Sequence, residues 1–130
     1  MEALPVTYLD THVALWLFAQ ADQGLSAAAR GAIETAGALR ISPMVILELD
    51  LLNEIGRTRI GSASITGYLQ DRIGLSICDR PFAEVAARAG QMTWTRDPFD
   101  RIITAQAALG AAVLVTKDRT IRANYPMAVW

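Results

Sequence analysis

Residues 97–118 read DPFDRIITAQAALGAAVLVTKD and predict a helix followed by a buried strand. Asp97 and the proline after it are placed to begin the helix, because an acidic cap followed by proline suits the first turn. Gly110 is placed to end the helix, and the apolar run beyond it predicts a strand at 112–116. Asp118 lies just past that strand. The stretch therefore predicts a helix–strand unit with a carboxylate at the carboxyl end of the strand.

The rest of the chain repeats this alternation of short apolar runs and longer helix-like segments. Strands are predicted at roughly 4–9, 39–42, 75–78, 112–116 and 127–130. Helices are predicted over 11–21, 26–38, 62–73, 81–89 and 97–109, and from the Ser42-Pro43 pair to a stop at Gly56. Such alternation is typical of a parallel sheet covered by helices on both faces.

Length and composition limit the class of protein. A chain of 130 residues suits one domain with one core. Its formal net charge of -1 gives no general attraction to nucleic acid, so a polyanion would need a local binding patch. The single cysteine, Cys78, excludes an internal disulfide and a cysteine-based zinc site. No segment has the length of a membrane span, and we expect a cytoplasmic protein.

Four carboxylates occupy positions where folding alone would favour apolar or neutral residues: Asp10, Glu48, Asp100 and Asp118. Asp10 and Asp118 each follow a predicted buried strand, at the edge where open parallel sheets form their sites. Glu48 has apolar residues three and four positions away on a predicted helix. Acids in such surroundings are usually paired, hydrogen-bonded or bound to a cation. The set predicts a site for Mg²⁺ or Mn²⁺, which prefer oxygen ligands, and phosphodiester hydrolysis as the reaction class.

Each acid also has a structural explanation. Asp100 suits the start of a helix, where it would interact with the helix dipole. Asp10 and Asp118 suit turns in which a side chain accepts hydrogen bonds from nearby backbone amides. Asp97 is expected to cap its helix. The convergence of all four acids is therefore the observation on which a metal site depends.

Other residues lie near these acids in the sequence. We expect His12 to be structural rather than a general base, because a lone histidine at a helix start more often is. Trp16 belongs to a helix that must cover the sheet, so we expect it in the core rather than as a platform for stacked bases. Four arginines either receive phosphates near a metal or pair with the acids: Arg96, Arg101, Arg119 and Arg122.

Four motifs combine along the chain: LDTH at 9–12, the helix from Ser42-Pro43 through Glu48, RDPFDRIITAQA at 96–107 and LVTKD at 114–118. Together they resemble the PIN-domain ribonucleases, and specifically the VapC toxins of bacterial type II toxin-antitoxin pairs. The resemblance extends over essentially the whole chain. One departure is Lys117, which stands where the family usually has arginine and lacks the planar fork of that side chain.

The resemblance implies a single PIN domain over 1–130, folded as a three-layer α/β/α sandwich with a central parallel sheet. It implies an endoribonuclease dependent on Mg²⁺ or Mn²⁺, with Asp10, Glu48, Asp100 and Asp118 as its catalytic and metal-binding residues. Three aspartates would hold one or two ions, while Glu48 would bind metal or orient the attacking water. The expected products have 5′-phosphate and 3′-hydroxyl ends.

The resemblance also implies partners. These are an RNA substrate, a cognate VapB-like antitoxin that blocks the active site, and operator DNA reached only through the antitoxin. Toxins of this kind commonly form homodimers. Two alternatives stay open, a non-catalytic PIN-like module that binds RNA or protein and a housekeeping PIN nuclease without a toxin role.

Overall fold

Strands and helices alternate along the part of the chain that the structure, a computed structural model, describes, which is residues 4–19 and 24–130. The strands in these ranges are β1 (Val6–Leu9), β2 (Ala38–Ile41), β3 (Ser76–Ile77), β4 (Val113–Val115) and β5 (Ala128–Val129). The helices are α1 (Thr11–Ala19), α2 (Ala27–Glu34), α3 (Pro43–Glu54), α4 (Ser62–Ile73), α5 (Phe82–Ala89), α6 (Pro98–Leu109) and α7 (Arg119–Asn124). Among the described residues, no helix is long and apolar enough to cross a membrane.

The strands form one sheet with the order β3-β2-β1-β4-β5, and every neighbouring pair is parallel. The chain moves outward from β1 through β2 to β3, then crosses to the other side of β1 for β4 and β5. A reversal of this kind leaves a crevice at the carboxyl ends of the two strands on either side of it, here β1 and β4. The backbone N–H of Asp10 donates to the carbonyl of Val115 at 3.1 Å, which ties these two ends together.

The core lies where apolar strand residues meet the helices. Leu9 and Leu114, on neighbouring central strands, are fully buried, as is Leu49 on α3. A second small cluster forms between α5 and α6, around Val85 and Ala105. The predicted α/β fold, a three-layer sandwich with a central parallel sheet, is confirmed.

The predicted elements differ from the observed ones mainly in their ends. All five predicted strands are present; β2 is shifted by one residue from its predicted range, and the other four are shorter than predicted. The helix predicted over 26–38 ends at Glu34, because β2 already begins at Ala38. Of the helix predicted over 11–21, residues 20 and 21 lie outside the described part of the chain. Helix α7 was not predicted, because its six residues are too few to show a helical pattern of apolar positions.

Candidate active site

A cleft of about 430 Å³ opens at the crevice between β1 and β4. Carboxylates from separate parts of the chain line it: Asp10, Glu48, Asp97, Asp100 and Asp118. Asp10 follows β1 and Asp118 follows β4, while Glu48 projects from α3 and Asp100 from the first turn of α6. The fold therefore brings all four acids predicted from the sequence to one place, with Asp97 as a fifth.

One backbone amide and one hydroxyl group hold the Asp10 carboxylate in place. Its Oδ1 atom accepts a hydrogen bond from the backbone N–H of Thr11 at 2.8 Å, and its Oδ2 atom accepts one from the Thr116 hydroxyl at 2.6 Å. The Thr116 hydroxyl in turn accepts from the backbone N–H of Asp118 at 3.1 Å. Because Thr116 is fully buried, this hydroxyl links the ends of β1 and β4 without competition from solvent.

A second threonine positions Glu48. The Ser42 side chain caps α3 by accepting a hydrogen bond from Met44 N–H at 3.0 Å, and proline follows at the first helical position. One turn further along α3, the Oε1 atom of Glu48 accepts a hydrogen bond from the hydroxyl of Thr11, which is fully buried. Thr11 therefore contacts Asp10 through its backbone and Glu48 through its side chain.

Two of the aspartates also cap helices. Asp97 accepts hydrogen bonds from Phe99 N–H at 2.8 Å and Asp100 N–H at 3.4 Å, so its expected role at the start of α6 is confirmed. Asp118 caps α7 by accepting from Ile121 N–H at 2.9 Å through its Oδ1 atom. Asp118 can therefore cap α7 and also contribute to the cleft, because capping uses only one of its two carboxylate oxygens.

Burial and mutual repulsion raise the pKa values of three of the acids. Burial raises the pKa of Asp100 from its ordinary value of 3.8 to about 7, with repulsion from Asp97, Asp118, Asp10 and Glu48 adding to it. Burial also raises the pKa of Asp10, against the hydrogen bonds from Thr116 and Thr11, and the pKa of Glu48, against the hydrogen bond from Thr11. Like charges held close together disfavour ionisation, so a bound cation would relieve this repulsion.

Not all of the residues that line the cleft are acids. His12, Trp16 and Lys117 also line the cleft. Trp16 was expected in the core, and it does pack against the core, but it is only half-buried and contributes to the cleft wall. Among the described residues that line the cleft, none is an arginine. Arg101 and Arg122 instead donate to backbone carbonyls, at 2.7 Å to Thr95 and 3.2 Å to Lys117.

A family model described as PIN domain matches residues 7–125. The chain belongs to the PIN-domain family. Ribonuclease VapC22 of Mycobacterium tuberculosis (strain ATCC 25618 / H37Rv) is 34% identical to this PIN domain over 131 residues, covering 94% of this chain and 96% of that protein. The resemblance recognised in the sequence is thereby confirmed at the level of the family.

Solved structures share the fold of this PIN domain. VapBC2 from Rickettsia felis, bound to a DNA fragment from their promoter, matches with a TM-score of 0.66 at 17% identity, over 95% of this chain and 96% of that one. A toxin-antitoxin complex from Klebsiella pneumoniae matches with a TM-score of 0.60 at 17% identity, with the same coverage of 95% and 96%. PAE2754 from Pyrobaculum aerophilum matches with a TM-score of 0.60 at 23% identity, over 95% of this chain and 87% of that one.

The donor set of this PIN domain suits a hard cation. The cleft offers carboxylate oxygens, the ligands that Mg²⁺ and Mn²⁺ prefer. Within residues 4–19 and 24–130, no three acid, histidine or cysteine side chains stand together as a ready-made metal cluster. Mg²⁺ usually retains several waters and binds through only one or two carboxylates, so the lining fits an ion held partly through water.

Two threonines that hold the acids of this PIN domain in place were not predicted from the sequence. Thr11 directly follows Asp10, and Thr116 lies two residues before Asp118. A partial signal was present, because a buried hydroxyl at a strand end needs a hydrogen-bond acceptor. The acceptors themselves, Glu48 for Thr11 and Asp10 for Thr116, are distant in the sequence. Threonine is also common within strands, and this ordinary preference concealed its role.

Proposed function

We propose that this PIN domain is a Mg²⁺- or Mn²⁺-dependent endoribonuclease, that it acts as a VapC-like toxin, and that a VapB-like antitoxin neutralises it. The observation that carries the proposal is the meeting of Asp10, Glu48, Asp100 and Asp118, from four separate segments, in one cleft. The 34% identity with Ribonuclease VapC22 over nearly the full length of both chains supports ribonuclease activity.

The chain's own residues account for binding and orientation in this reaction. Asp10, Asp100 and Asp118 would hold the ion, directly or through water. When bound, the ion supplies charge that polarises the scissile phosphate and lowers the pKa of an attacking water. Glu48 either binds metal or orients this water, and burial, which raises its pKa above the ordinary value, makes its carboxylate a stronger base for this role.

The threonines and helix caps keep the acids in place before substrate arrives. Thr116 fixes Asp10 relative to Asp118, and Thr11 fixes Glu48 relative to Asp10. Such preorganisation matters because charged groups that are already oriented need no reorganisation during the reaction. Asp97 contributes negative charge beside Asp100 while its capping bonds hold the start of α6.

The antitoxin proposal draws support from the toxin-antitoxin complexes among the similar structures. It also fits an apolar surface that the described part of the chain leaves exposed. Leu47 on α3 is 49% exposed and Phe82 on α5 is 64% exposed, and both line one groove. Large exposed apolar side chains of this kind are typical of protein contact surfaces.

The decisive experiment compares RNA cleavage by the wild type and its acid variants. We expect purified protein to cleave RNA with Mg²⁺ or Mn²⁺ and to stop when EDTA is added. Asp10→Asn and Asp118→Asn should each reduce the rate at least about 100-fold. Asp71→Asn serves as the matched control, because Asp71 is exposed on α4 and does not line the cleft. Undiminished cleavage by the two cleft variants would refute the assignment of the acids.

A second experiment tests the toxin role. The chain is expressed alone and together with the product of the adjacent gene, and new 5′ ends in total RNA are sequenced. We expect growth arrest with a defined cleavage site, relieved by the neighbouring product. Cleavage without growth arrest would favour the housekeeping nuclease, and intact RNA with normal growth would favour the non-catalytic binding module.

A further inference from the structure

Two tryptophans and a lysine form a cluster at the wall of the acidic cleft. The rings of Trp16 and Trp130 lie with centroids 5.6 Å apart and planes tilted by 55°. The Nζ atom of Lys117 lies 5.9 Å from the centroid of each ring, within the range of cation–π attraction. The His12 ring centroid lies 6.1 Å from that of Trp16. Residues from both ends of the chain therefore build one aromatic and cationic surface.

This surface is held in place by the fold. Trp16 and Trp130 are half-buried and pack against the main core. Lys117 lies two residues past the end of β4 and is exposed, and Trp16 and Lys117 both line the cleft that holds the acids. A fixed aromatic ring binds a flat partner with little loss of conformational entropy, so the cluster is already organised for stacking.

The charges of the cleft explain what this surface could add. Five carboxylates line the cleft, and they repel the phosphates of an RNA strand. Lys117 is the only lysine in the chain and the only lysine or arginine among the described residues that line the cleft. Stacking on an aromatic ring attracts a nucleobase without depending on charge. Stacking and one ammonium group therefore supply attraction where the acids supply none.

We propose that Trp16 and Lys117, braced by Trp130, form a subsite that binds the nucleotide next to the scissile phosphate. This inference rests on the proposed ribonuclease function. The base stacks on the part of Trp16 that faces the cleft, and the Lys117 ammonium contacts the phosphate that follows. Stacking requires an unpaired base, so the subsite selects unpaired nucleotides and tolerates differences in sequence.

Steady-state kinetics on a single-stranded RNA test this subsite. We expect Trp16→Ala to raise KM about tenfold with little change in kcat, in line with the loss of one stacked base. Trp16→Phe keeps an aromatic ring and should recover most of the lost affinity. Lys117→Gln should raise KM and reduce the salt dependence of binding by about one phosphate contact. The control is Trp94→Ala, because Trp94 packs between the core clusters and does not line the cleft.

Fluorescence provides a readout that does not require cleavage. The chain has three tryptophans, so Trp94→Phe leaves Trp16 and Trp130 as the reporters. In a Trp94→Phe, Asp10→Asn protein with Mg²⁺ present, we expect a single-stranded oligoribonucleotide to quench the fluorescence. A fully paired duplex of the same sequence should quench it much less.

The outcomes separate this subsite from the nuclease itself. If the wild type cleaves RNA but Trp16→Ala has an unchanged KM and the oligonucleotide causes no quenching, the subsite is wrong and the nuclease stands. If Trp94→Ala raises KM as much as Trp16→Ala, loss of packing explains the effect and the subsite is also wrong. If the wild type cleaves no RNA, the proposed function fails and the subsite beside a scissile phosphate fails with it, and selective quenching by single strands would then indicate RNA binding without cleavage.

Discussion

Replacing Asp100 by asparagine should make the metal-free protein more stable at neutral and alkaline pH while it abolishes RNA cleavage. Asp100 is half-buried in the first turn of α6, and its pKa is raised to about 7 by burial and by the surrounding acids. In the described part of the chain, no hydrogen bond to its carboxylate offsets these effects. Asparagine has nearly the same shape and carries no charge, so the substitution removes the unfavourable ionisation alone.

The sign and size of the effect follow from the two pKa values of this carboxyl. The folded protein holds the Asp100 proton up to about pH 7, whereas the unfolded chain loses it near 3.8. The folded state therefore binds more protons between these values, and its stability falls as the pH rises through this window. At about 1.4 kcal/mol per pH unit the upper limit is about 4 kcal/mol, which solvent screening of a half-buried group reduces to about 2 kcal/mol.

Urea denaturation in EDTA, at about pH 4 and pH 8, measures this difference. We expect Asp100→Asn to exceed the wild type by about 2 kcal/mol at the higher pH and by little at the lower, where Asp100 is protonated in the folded protein. Asp71→Asn is the control and should stay within about 0.5 kcal/mol of the wild type at both pH values. An Asp100→Asn variant that is less stable than the wild type at pH 8 would refute this reasoning. So would a variant that exceeds the stability of the wild type by the same amount at pH 4 and pH 8.

Four further outcomes follow from the cleft and the core. Asp118→Asn keeps an acceptor for the Ile121 amide and should lose cleavage with little change in stability, whereas Asp118→Ala should also lose about 1 kcal/mol in urea denaturation. Thr116→Val removes a buried hydrogen bond to Asp10, and we expect a loss of about 1–3 kcal/mol together with a slower single-turnover rate. Mg²⁺ at about 100 times its dissociation constant should stabilise the wild type by about 2.7 kcal/mol, and a thermal shift assay should show a smaller gain for Asp10→Asn. Leu114→Ala, in the fully buried centre of the sheet, should cost about 2–5 kcal/mol in urea.

The fold was largely predictable because its parallel strands are buried and therefore read as short apolar runs between helical segments. Capping residues such as Ser42 and Asp97 located two helix starts correctly, since these side chains accept bonds from the first amides of their helices. The ends of β2 and the short helix α7 were missed. The ends of β2 depend on pairing with β1 and β3, which local sequence patterns do not describe, whereas α7 is too short to show a helical pattern.

The site was predictable in its acids and not in the groups that support them. An acid after an apolar run is conspicuous, whereas Thr11 and Thr116 are ordinary strand-end residues until the fold brings their hydroxyl groups to a carboxylate. Trp16 was assigned to the core because its helix had to cover the sheet. It does pack against the core, but it also lines the cleft. Its neighbour Trp130 lies at the other end of the sequence, so the surface they share exists only after β5 has joined the sheet.

Hydrogen bonds to the acids of the cleft offset part of the repulsion between them. Asp10 is held by an amide and a hydroxyl, Glu48 by a hydroxyl, and Asp97 and Asp118 by the first amides of α6 and α7. Each of these donors stabilises the charged form of its acid, and the helix starts add partial positive charge. Asp100 has no such donor among the described residues, so no hydrogen bond there offsets the burial and the repulsion that raise its pKa to about 7. For this reason, replacing Asp100 by asparagine should abolish RNA cleavage and at the same time stabilise the metal-free protein.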